Sequence, residues 1–237
     1  MNSFSSALPE TLVNADGAIL FDMDGTLIDS EPLWLKAEIE IMAEVGCNWD
    51  QQDQMNCLGG PAERTELYMQ ERSKNIKPSG YFIERLFQVM KEKITNELEL
   101  IPNALDLLKE CKDLGIKTAL VTASRGDLMR IVLKRFPPNT FGAAISRDDV
   151  AKTKPDPAPY LLAAKQLSVD ISNCIVFEDS LTGIESGLRA GAKVIGIPHL
   201  VQMPDHSDLR VISSLSEINL SKVLNWYPFL MSRAESK

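Results

Sequence analysis

Ala18-Ile19-Leu20-Phe21-Asp22-Met23-Asp24-Gly25-Thr26-Leu27-Ile28-Asp29-Ser30 runs from an apolar stretch straight into two carboxylates. Four consecutive apolar residues suit a strand buried on both faces, as in a parallel sheet. On an extended chain, residues i and i+2 point to one side, about 7 Å apart. Asp22 and Asp24 therefore address the same small volume of solvent where the strand ends. Two carboxylates so close repel each other unless something positive lies between them. A hard divalent cation such as Mg²⁺, which takes oxygen ligands and keeps open positions for a phosphate, is a natural partner. Gly25 lets the backbone turn sharply where a side chain would obstruct a ligand. A solvated turn rich in Asp and Gly would use the same residues, so the choice falls to the rest of the chain.

At 237 residues the chain can bury a substantial core, in one large domain or two smaller ones. Its hydrophobic content of 44% and charged content of 24% are those of an ordinary globular protein. A net charge of −8 argues against nucleic acid or an anionic membrane as partner, since both reward a basic face. Cys47, Cys57, Cys111 and Cys174 form no C-x-x-C pair and no zinc spacing with His199 and His206, so they read as free thiols in a reducing compartment. Cys111 and Cys174 fit core packing. The first fourteen residues lack a basic segment followed by an apolar one, and no run reaches the roughly 18 apolar residues of a membrane span. The expectation is a cytoplasmic protein with a loose N-terminal tail.

Short apolar runs suited to buried strands recur at 18–21, 118–122, 143–146, 175–177, 194–197 and, weakly, 210–212. Between them, 103–114, 128–136, 158–167 and 181–190 space their apolar residues at three and four, as helices do. Alternating strand and helix predicts an α/β fold with a doubly wound parallel sheet, whose ligands bind at the carboxyl ends of the strands. One gap of nearly a hundred residues breaks the alternation, and most of it reads as helix, over 32–45, 62–69 and 81–94. That is too long for a crossover and predicts an inserted all-helical unit. Pro32 and Pro102 punctuate its ends, placing hinges near 30–32 and 99–102.

Three further stretches carry chemistry. The second strand ends Val121-Thr122-Ala123-Ser124, setting hydroxyls at the same sheet edge as Asp22; Ser124 with Asp127 resembles a helix-opening capping box. Lys152-Thr153-Lys154-Pro155-Asp156-Pro157 fixes a lysine in a proline-stiffened loop, a point charge suited to lie between a phosphoryl group and an aspartate. Ile175-Val176-Phe177-Glu178-Asp179-Ser180 ends another strand in carboxylates, with Thr182 and Glu185 in a capping pattern beyond. Because Glu178 and Asp179 are adjacent, they point to opposite sides, and one of the two suffices as a metal ligand.

In this order, D-x-D-G-T, a strand-terminal Thr, a Lys-Pro loop and E-D-S resemble the four motifs of the haloacid dehalogenase superfamily, over nearly the whole chain. D-S-E-P at 29–32, K-P-D-P at 154–157 and E-D-S-x-x-G-I at 178–184 are similar to the branch holding β-phosphoglucomutase and small sugar-phosphate phosphatases. The resemblance implies a Rossmann-like catalytic core of 1–31 and 101–237 with a helical cap of 32–100 that sets specificity. It implies a phosphatase that hydrolyses a small phosphate monoester, such as a sugar phosphate, through an aspartyl-phosphate. Asp22 would then be the nucleophile, and Asp24 the acid for the leaving alcohol and the base for water. Mg²⁺ would be held by Asp22, the Asp24 carbonyl and Asp179, with Glu178 as ligand or support. Thr122 and Lys154 would bind phosphoryl oxygens, and Gly25, Ser124, Arg64 and Trp34 would border the substrate.

Asp24 separates this chain from the superfamily's dehalogenases, which lack that acid, and from its P-type ATPases, which have Thr there. The mutase of the branch carries a His where Trp34 stands and a cap-loop Arg where Gly59-Gly60-Pro61-Ala62-Glu63-Arg64 sets Glu63, and both departures weaken a phosphomutase reading. A phosphoacceptor receiver module would place its acidic pair and acceptor on different strands from these. A binding protein without catalysis would have no reason to keep Asp22, Asp24, Lys154 and Asp179 together. The partner expected is a small phosphorylated metabolite, and monomer is the default state.

Overall fold

In the computed structural model, which describes residues 12–57, 62–198 and 203–233, the chain begins with β1 (Leu12–Ala15) and enters the main sheet at β2 (Ala18–Phe21). The two-residue β3 (Ile28–Asp29) leads into four helices, α1 (Glu31–Glu44), α2 (Gln51–Cys57), α3 (Ala62–Arg72) and α4 (Tyr81–Glu97), and β4 (Glu99–Leu100) follows. Helices and strands then alternate: α5 (Ala104–Asp113), β5 (Lys117–Val121), α6 (Gly126–Leu133), β6 (Ala143–Ile145), α7 (Ala158–Leu167), β7 (Cys174–Glu178), α8 (Leu181–Ala190) and β8 (Lys193–Gly196). The chain closes with β9 (Leu209–Val211), α9 (Leu220–Trp226) and β10 (Met231–Arg233), the last pairing antiparallel with β1.

Six strands make the parallel sheet in the order β6-β5-β2-β7-β8-β9. The chain winds outward from β2 through β5 to β6, then crosses back to β7 on β2's other side. That reversal opens a crevice at the carboxyl ends of β2 and β7, where such sheets hold their ligands. Pairing on both edges and helices on both faces leave every residue of β2 with no exposed surface, which is why its sequence is apolar throughout rather than alternating. Ile19 and Phe21 join the core on one face of the sheet, Ala18 and Leu20 the core on the other. Phe21 stacks on Phe177 of β7 at 5.1 Å between ring centroids, locking the two central strands side by side.

The α/β fold with a helical insertion stands as expected from the sequence, with α7 and α8 falling on the expected residues and the strands within a residue of them. Six elements lay outside the expectation: β1, α9 and β10 near the chain ends, and α2, β3 and β4 around the insertion. Polar α2 has no apolar stripe to announce it, and β3 pairs antiparallel with β4, Ile28 opposite Leu100 and Asp29 opposite Glu99, so the chain leaves for the helices and returns through one short ribbon. On α1 the buried set is Leu33, Ala37, Glu38, Ile41 and Met42, whereas Trp34 and Val45 are half-buried. Among the described residues, no helix is long and apolar enough to cross a membrane. All four cysteines are free, and burial pushes the Cys111 and Cys174 thiols up to about 12.

Within the helical insertion, α4 starts at Gly80, whose φ of 87° suits a residue without a side chain and leaves no side-chain cap of its own. Glu66 on α3 takes that role from a distance. Its carboxylate accepts the N–H groups of Gly80 at 2.8 Å and Ile83 at 2.7 Å, while Gln70 donates to it at 2.9 Å. These N–H groups would otherwise be orphans of the first helical turn. We expect Glu66→Ala to lower the stability of the protein by ~1–3 kcal/mol in urea unfolding, the scale of losing charge-assisted bonds to buried donors. A change below a few tenths would show that Glu66 does not hold α3 to α4.

Candidate active site

Asp22 continues the line of β2, its N–H bonded to Phe177 O at 2.9 Å, so the sheet itself aims the carboxylate out of the strand end. Met23 O accepts the N–H groups of Leu27 and Ile28, and Gly25 N–H bonds Ile28 O, closing a tight loop. Gly25 has a φ of 77°, and a Cβ there would run into the Asp179 carboxylate. The position therefore demands glycine both for its backbone and for the close approach of β7's acidic end.

Lys154 enters the same space from the loop before α7. Its ammonium has three protons and three acceptors: Asp22 Oδ1 at 2.5 Å, Glu178 Oε1 at 2.6 Å and Val121 O at 2.9 Å. Burial alone would depress its pKa, but the Asp22 and Glu178 carboxylates outweigh burial and hold it above the ordinary lysine range. Glu178 is fully buried and accepts four hydrogen bonds, from Lys154, the Tyr160 hydroxyl at 2.6 Å, and the Ser180 N–H and hydroxyl. A Cβ at Gly183 would collide with that carboxylate, so α8 can approach β7 only with glycine there.

Asp24 is turned to different partners. Ser30 donates to its Oδ1 at 2.7 Å; Ser124 and Thr122 donate to its Oδ2 at 2.8 and 3.3 Å. The Ser124 N–H in turn bonds Thr122 Oγ1 at 2.9 Å, fixing the turn after β5. The Ser124 hydroxyl is thus engaged by Asp24 and does not cap α6, whose N-cap position falls on Arg125, while Asp127 pairs with Lys91 and Arg125. The expected capping box of Ser124 with Asp127 is corrected accordingly. The expected cap of α8 by Thr182 and Glu185 is likewise replaced by Ser180, which accepts from Gly183 N–H at 3.1 Å.

One oxygen stands apart: Asp22 Oδ2 is buried and has no hydrogen-bond partner. Oxygens of Asp22, Glu178 and Asp179 lie within 4.8 Å of one another. Burial, then the Glu178 charge, lifts Asp22 well above the usual carboxylate range against the pull of Lys154. Burial, then Asp22 and Glu178, does the same to Asp179. Hard oxygen donors, an orphaned lone pair and mutual repulsion fit a divalent cation such as Mg²⁺. The Asp24 side chain stands outside this group of oxygens.

Asp22, Asp24, Gly25, Thr122, Ser124, Lys154, Glu178 and Asp179 therefore converge at the crevice. Trp34 is half-buried on α1, edge-on to Phe87 at 6.3 Å. Arg64 is exposed in the first turn of α3, and among the described residues no hydrogen bond or ion pair joins it to the carboxylates. Glu63 instead pairs with Arg147 beyond β6 at 2.6 Å; Gly59, Gly60, Pro61 and His199 lie outside the described residues. Sequence reasoning passed over Ser30 and Tyr160. Ser30 was in view within the D-S-E-P run, whereas Tyr160 has the spacing of one more apolar position of α7.

A family model for haloacid dehalogenase-like hydrolases matches residues 19–197. Hexitol phosphatase B of Escherichia coli (strain K12) is 29% identical over 214 residues, 87% of this chain and 96% of that protein. The phosphorylated carbohydrates phosphatase of Thermotoga maritima is 29% identical over 215 residues, 88% of this chain and 96% of its own length. Among solved structures, CbbY from Rhodobacter sphaeroides in complex with phosphate superposes with a TM-score of 0.72 at 26% identity, covering 86% of this chain and 96% of that one.

The lifted carboxyls set a pH signature. A carboxyl whose folded-state pKa is raised stabilises the fold fully below its unfolded value and loses that contribution as pH rises through the folded value. Asp22 and Asp179 are raised above 3.8, and Glu31 is raised from 4.5 to about 7. The carboxylates held low by ion pairs, such as Glu63 and Asp127, lose their contribution only at more acidic pH. The metal-free melting temperature should fall between pH 5 and pH 8, and Mg²⁺ should restore more of it at pH 8, where it competes with fewer protons. A flat profile, or equal stabilisation by Mg²⁺ at both ends, would contradict this electrostatic picture.

Proposed function

Because the chain belongs to the haloacid dehalogenase-like hydrolase family, we propose that it is a Mg²⁺-dependent phosphatase that hydrolyses a small phosphate monoester, in the sugar-phosphate class, through a phosphoryl group carried on Asp22. The observation that carries this reading is the pair of oxygens on Asp22. One is pinned by Lys154 at 2.5 Å, and the other is buried without a partner, a lone pair held ready for phosphorus.

The attack forms an Asp22 Oδ2–phosphorus bond as the bond from phosphorus to the alcohol oxygen breaks. Asp24 gives the leaving oxygen its proton. In the second half, the Asp24 carboxylate so formed takes a proton from water, the water oxygen bonds phosphorus, and the bond to Asp22 breaks, releasing phosphate and restoring the Asp22 carboxylate and the Asp24 carboxylic acid. Ser30 keeps Asp24 oriented through both halves, while Thr122 and Ser124 swing their hydroxyl protons from Asp24 to phosphoryl oxygens. Lys154 offsets the charge of Asp22 so that an anionic nucleophile can meet an anionic substrate. Asp22, Asp179 and the Asp24 carbonyl, with Glu178 behind them, would hold Mg²⁺, which would supply positive charge to the phosphoryl oxygens.

Residues 32–100 form the cap in this reading, over a core of 1–31 and 101–237. Support comes from the β3–β4 ribbon through which the chain leaves and returns, and from ion pairs Lys91–Asp127 at 2.6 Å and Arg125–Glu84 at 3.2 Å between helices α4 and α6. The sugar-phosphate class rests on the names of two relatives, hexitol phosphatase B and the phosphorylated carbohydrates phosphatase.

Phosphate release from a panel of sugar, nucleotide and glycolytic phosphates, with and without Mg²⁺, tests the proposal. Asp22→Asn should lower kcat by at least ~10³-fold, and Asp24→Asn by ~10²–10⁴-fold, the range of general acid–base catalysis. Release that survives Asp22→Asn, or that ignores chelation of the metal, would refute it.

A further inference from the structure

The three protons of the Lys154 ammonium are already taken by Asp22 Oδ1, Glu178 Oε1 and Val121 O. To donate to a phosphoryl oxygen it must let one acceptor go, and its side chain is only 2% exposed, so water is poorly placed to replace it there. At one of the three acceptors a second donor is in place. The Tyr160 hydroxyl lies 2.6 Å from Glu178 Oε1, the same oxygen that Lys154 holds at 2.6 Å. Tyr160 and Glu178 are both fully buried. A phenol keeps its proton at any working pH and can only donate to a carboxylate. Around this pair the structure is held in place. The loop that carries Lys154 is tied to α8, with the Ser186 hydroxyl donating to Asp156 O at 2.6 Å and Arg189 to Pro155 O at 3.2 Å. Glu178 is hemmed in by Ser180, which donates to Oε2 through its N–H and its hydroxyl, and by Gly183, where a Cβ would collide with the carboxylate. The four-carbon stem of Lys154 is the part that can turn. Its ammonium stands over the Tyr160 ring, 5.1 Å from the centroid, a favourable place for a cation whether or not it faces Glu178.

Resting on the phosphatase reading, we propose that Tyr160 is a positioning residue for Lys154: its hydroxyl keeps Glu178 Oε1 bonded while Lys154 turns one N–H from Glu178 to a phosphoryl oxygen. Asp22 Oδ1 keeps its hold on the ammonium, so the nucleophile remains charge-balanced as its other oxygen attacks. In the resting site Glu178 Oε1 is shared by two donors, Lys154 and Tyr160. With the phosphoryl group bound, Tyr160 serves that oxygen in place of Lys154. Without the hydroxyl, a carboxylate oxygen would be left bare at full burial, which costs far more than thinning a shared bond. The hydroxyl therefore matters little to the empty site and much to the phosphoryl-bound one. No bond to Tyr160 forms or breaks, and its proton stays on the phenol oxygen throughout.

The experiment sets Tyr160→Phe, which keeps the ring and its packing, beside the unmodified protein, with p-nitrophenyl phosphate as substrate and vanadate as a five-coordinate mimic of the phosphoryl group in transfer. In the variant, kcat/KM should fall and the inhibition constant of vanadate should rise, each by on the order of tenfold, the scale of one hydrogen bond to a charged group. The half-saturating Mg²⁺ concentration should stay within about twofold and the metal-free melting temperature within ~3 °C, because the empty site keeps Lys154 on Glu178. The vanadate and Mg²⁺ constants are independent of how much of the variant is folded. Vanadate inhibition equal in the two proteins, as expected if Lys154 lets go of Val121 O instead, overturns the assignment. So does a half-saturating Mg²⁺ concentration that rises as far as the vanadate constant, since Tyr160 would then serve the metal through Glu178. A melting temperature that falls while vanadate binding is intact also overturns it and leaves the hydroxyl to the core alone. If the unmodified protein does not hydrolyse p-nitrophenyl phosphate, the phosphatase reading itself falls, and this inference with it.

Discussion

A lysine ammonium enclosed between two carboxylates, at 2.5 Å from Asp22 and 2.6 Å from Glu178, is the contact on which the site is built. Taking such charges out of water costs several kcal/mol each, and their attraction offsets that only when every proton and lone pair is used. Here the ammonium spends its three protons, and Glu178 accepts from Lys154, Tyr160 and Ser180. The exception is Asp22 Oδ2. Around one ammonium stand Asp22, Glu178 and Asp179, so the cluster is short of positive charge, and the carboxyls of Asp22 and Asp179 respond by rising well above their usual range. A divalent metal ion would answer that imbalance through its charge, and a phosphoryl group would give Oδ2 an electrophile.

The sheet makes the cluster possible. Asp22 and Glu178 end on adjacent parallel strands, Lys154 comes from the loop before α7, and Thr122 ends the strand on β2's other side. Parallel pairing puts all the carboxyl ends on one edge, so residues separated by more than a hundred positions meet without any local device. Two glycines then allow the remaining approach. Gly25 admits the Asp179 carboxylate and Gly183 admits that of Glu178, each at a spot that a Cβ would fill.

How much of this was legible in the sequence follows from which forces act locally. Buried parallel strands announce themselves by unbroken apolar runs, so β2 and its neighbours were readable, as were the apolar stripes of α7 and α8. The converging residues Asp22, Asp24, Lys154 and Asp179 were readable because strand ends and a Pro-stiffened loop have a fixed place in a doubly wound sheet. Capping was not, because it is a competition. Ser124 lost its helix to Asp24, a partner 100 residues away, and Ser180 displaced Thr182 by one hydrogen bond. Tyr160 hid for a similar reason: its ring serves the core, and only its hydroxyl, bonded to Glu178, belongs to the site. Polar α2 and the two-residue β3 and β4 have no periodicity to read and exist through their tertiary neighbours.

The central claim is that phosphorus passes through Asp22, and it can be observed on the protein. With Asp24→Asn and p-nitrophenyl phosphate, whose leaving group needs no proton, the first half-reaction should run and the second should stall. Acid quenching and peptide mapping by mass spectrometry should then find one phosphoryl group, labile to hydroxylamine, on the peptide containing Asp22, matched by an equal burst of nitrophenol. Nitrophenol released with the phosphoryl group on another residue, or with none on the protein at any time during the burst, would contradict the account.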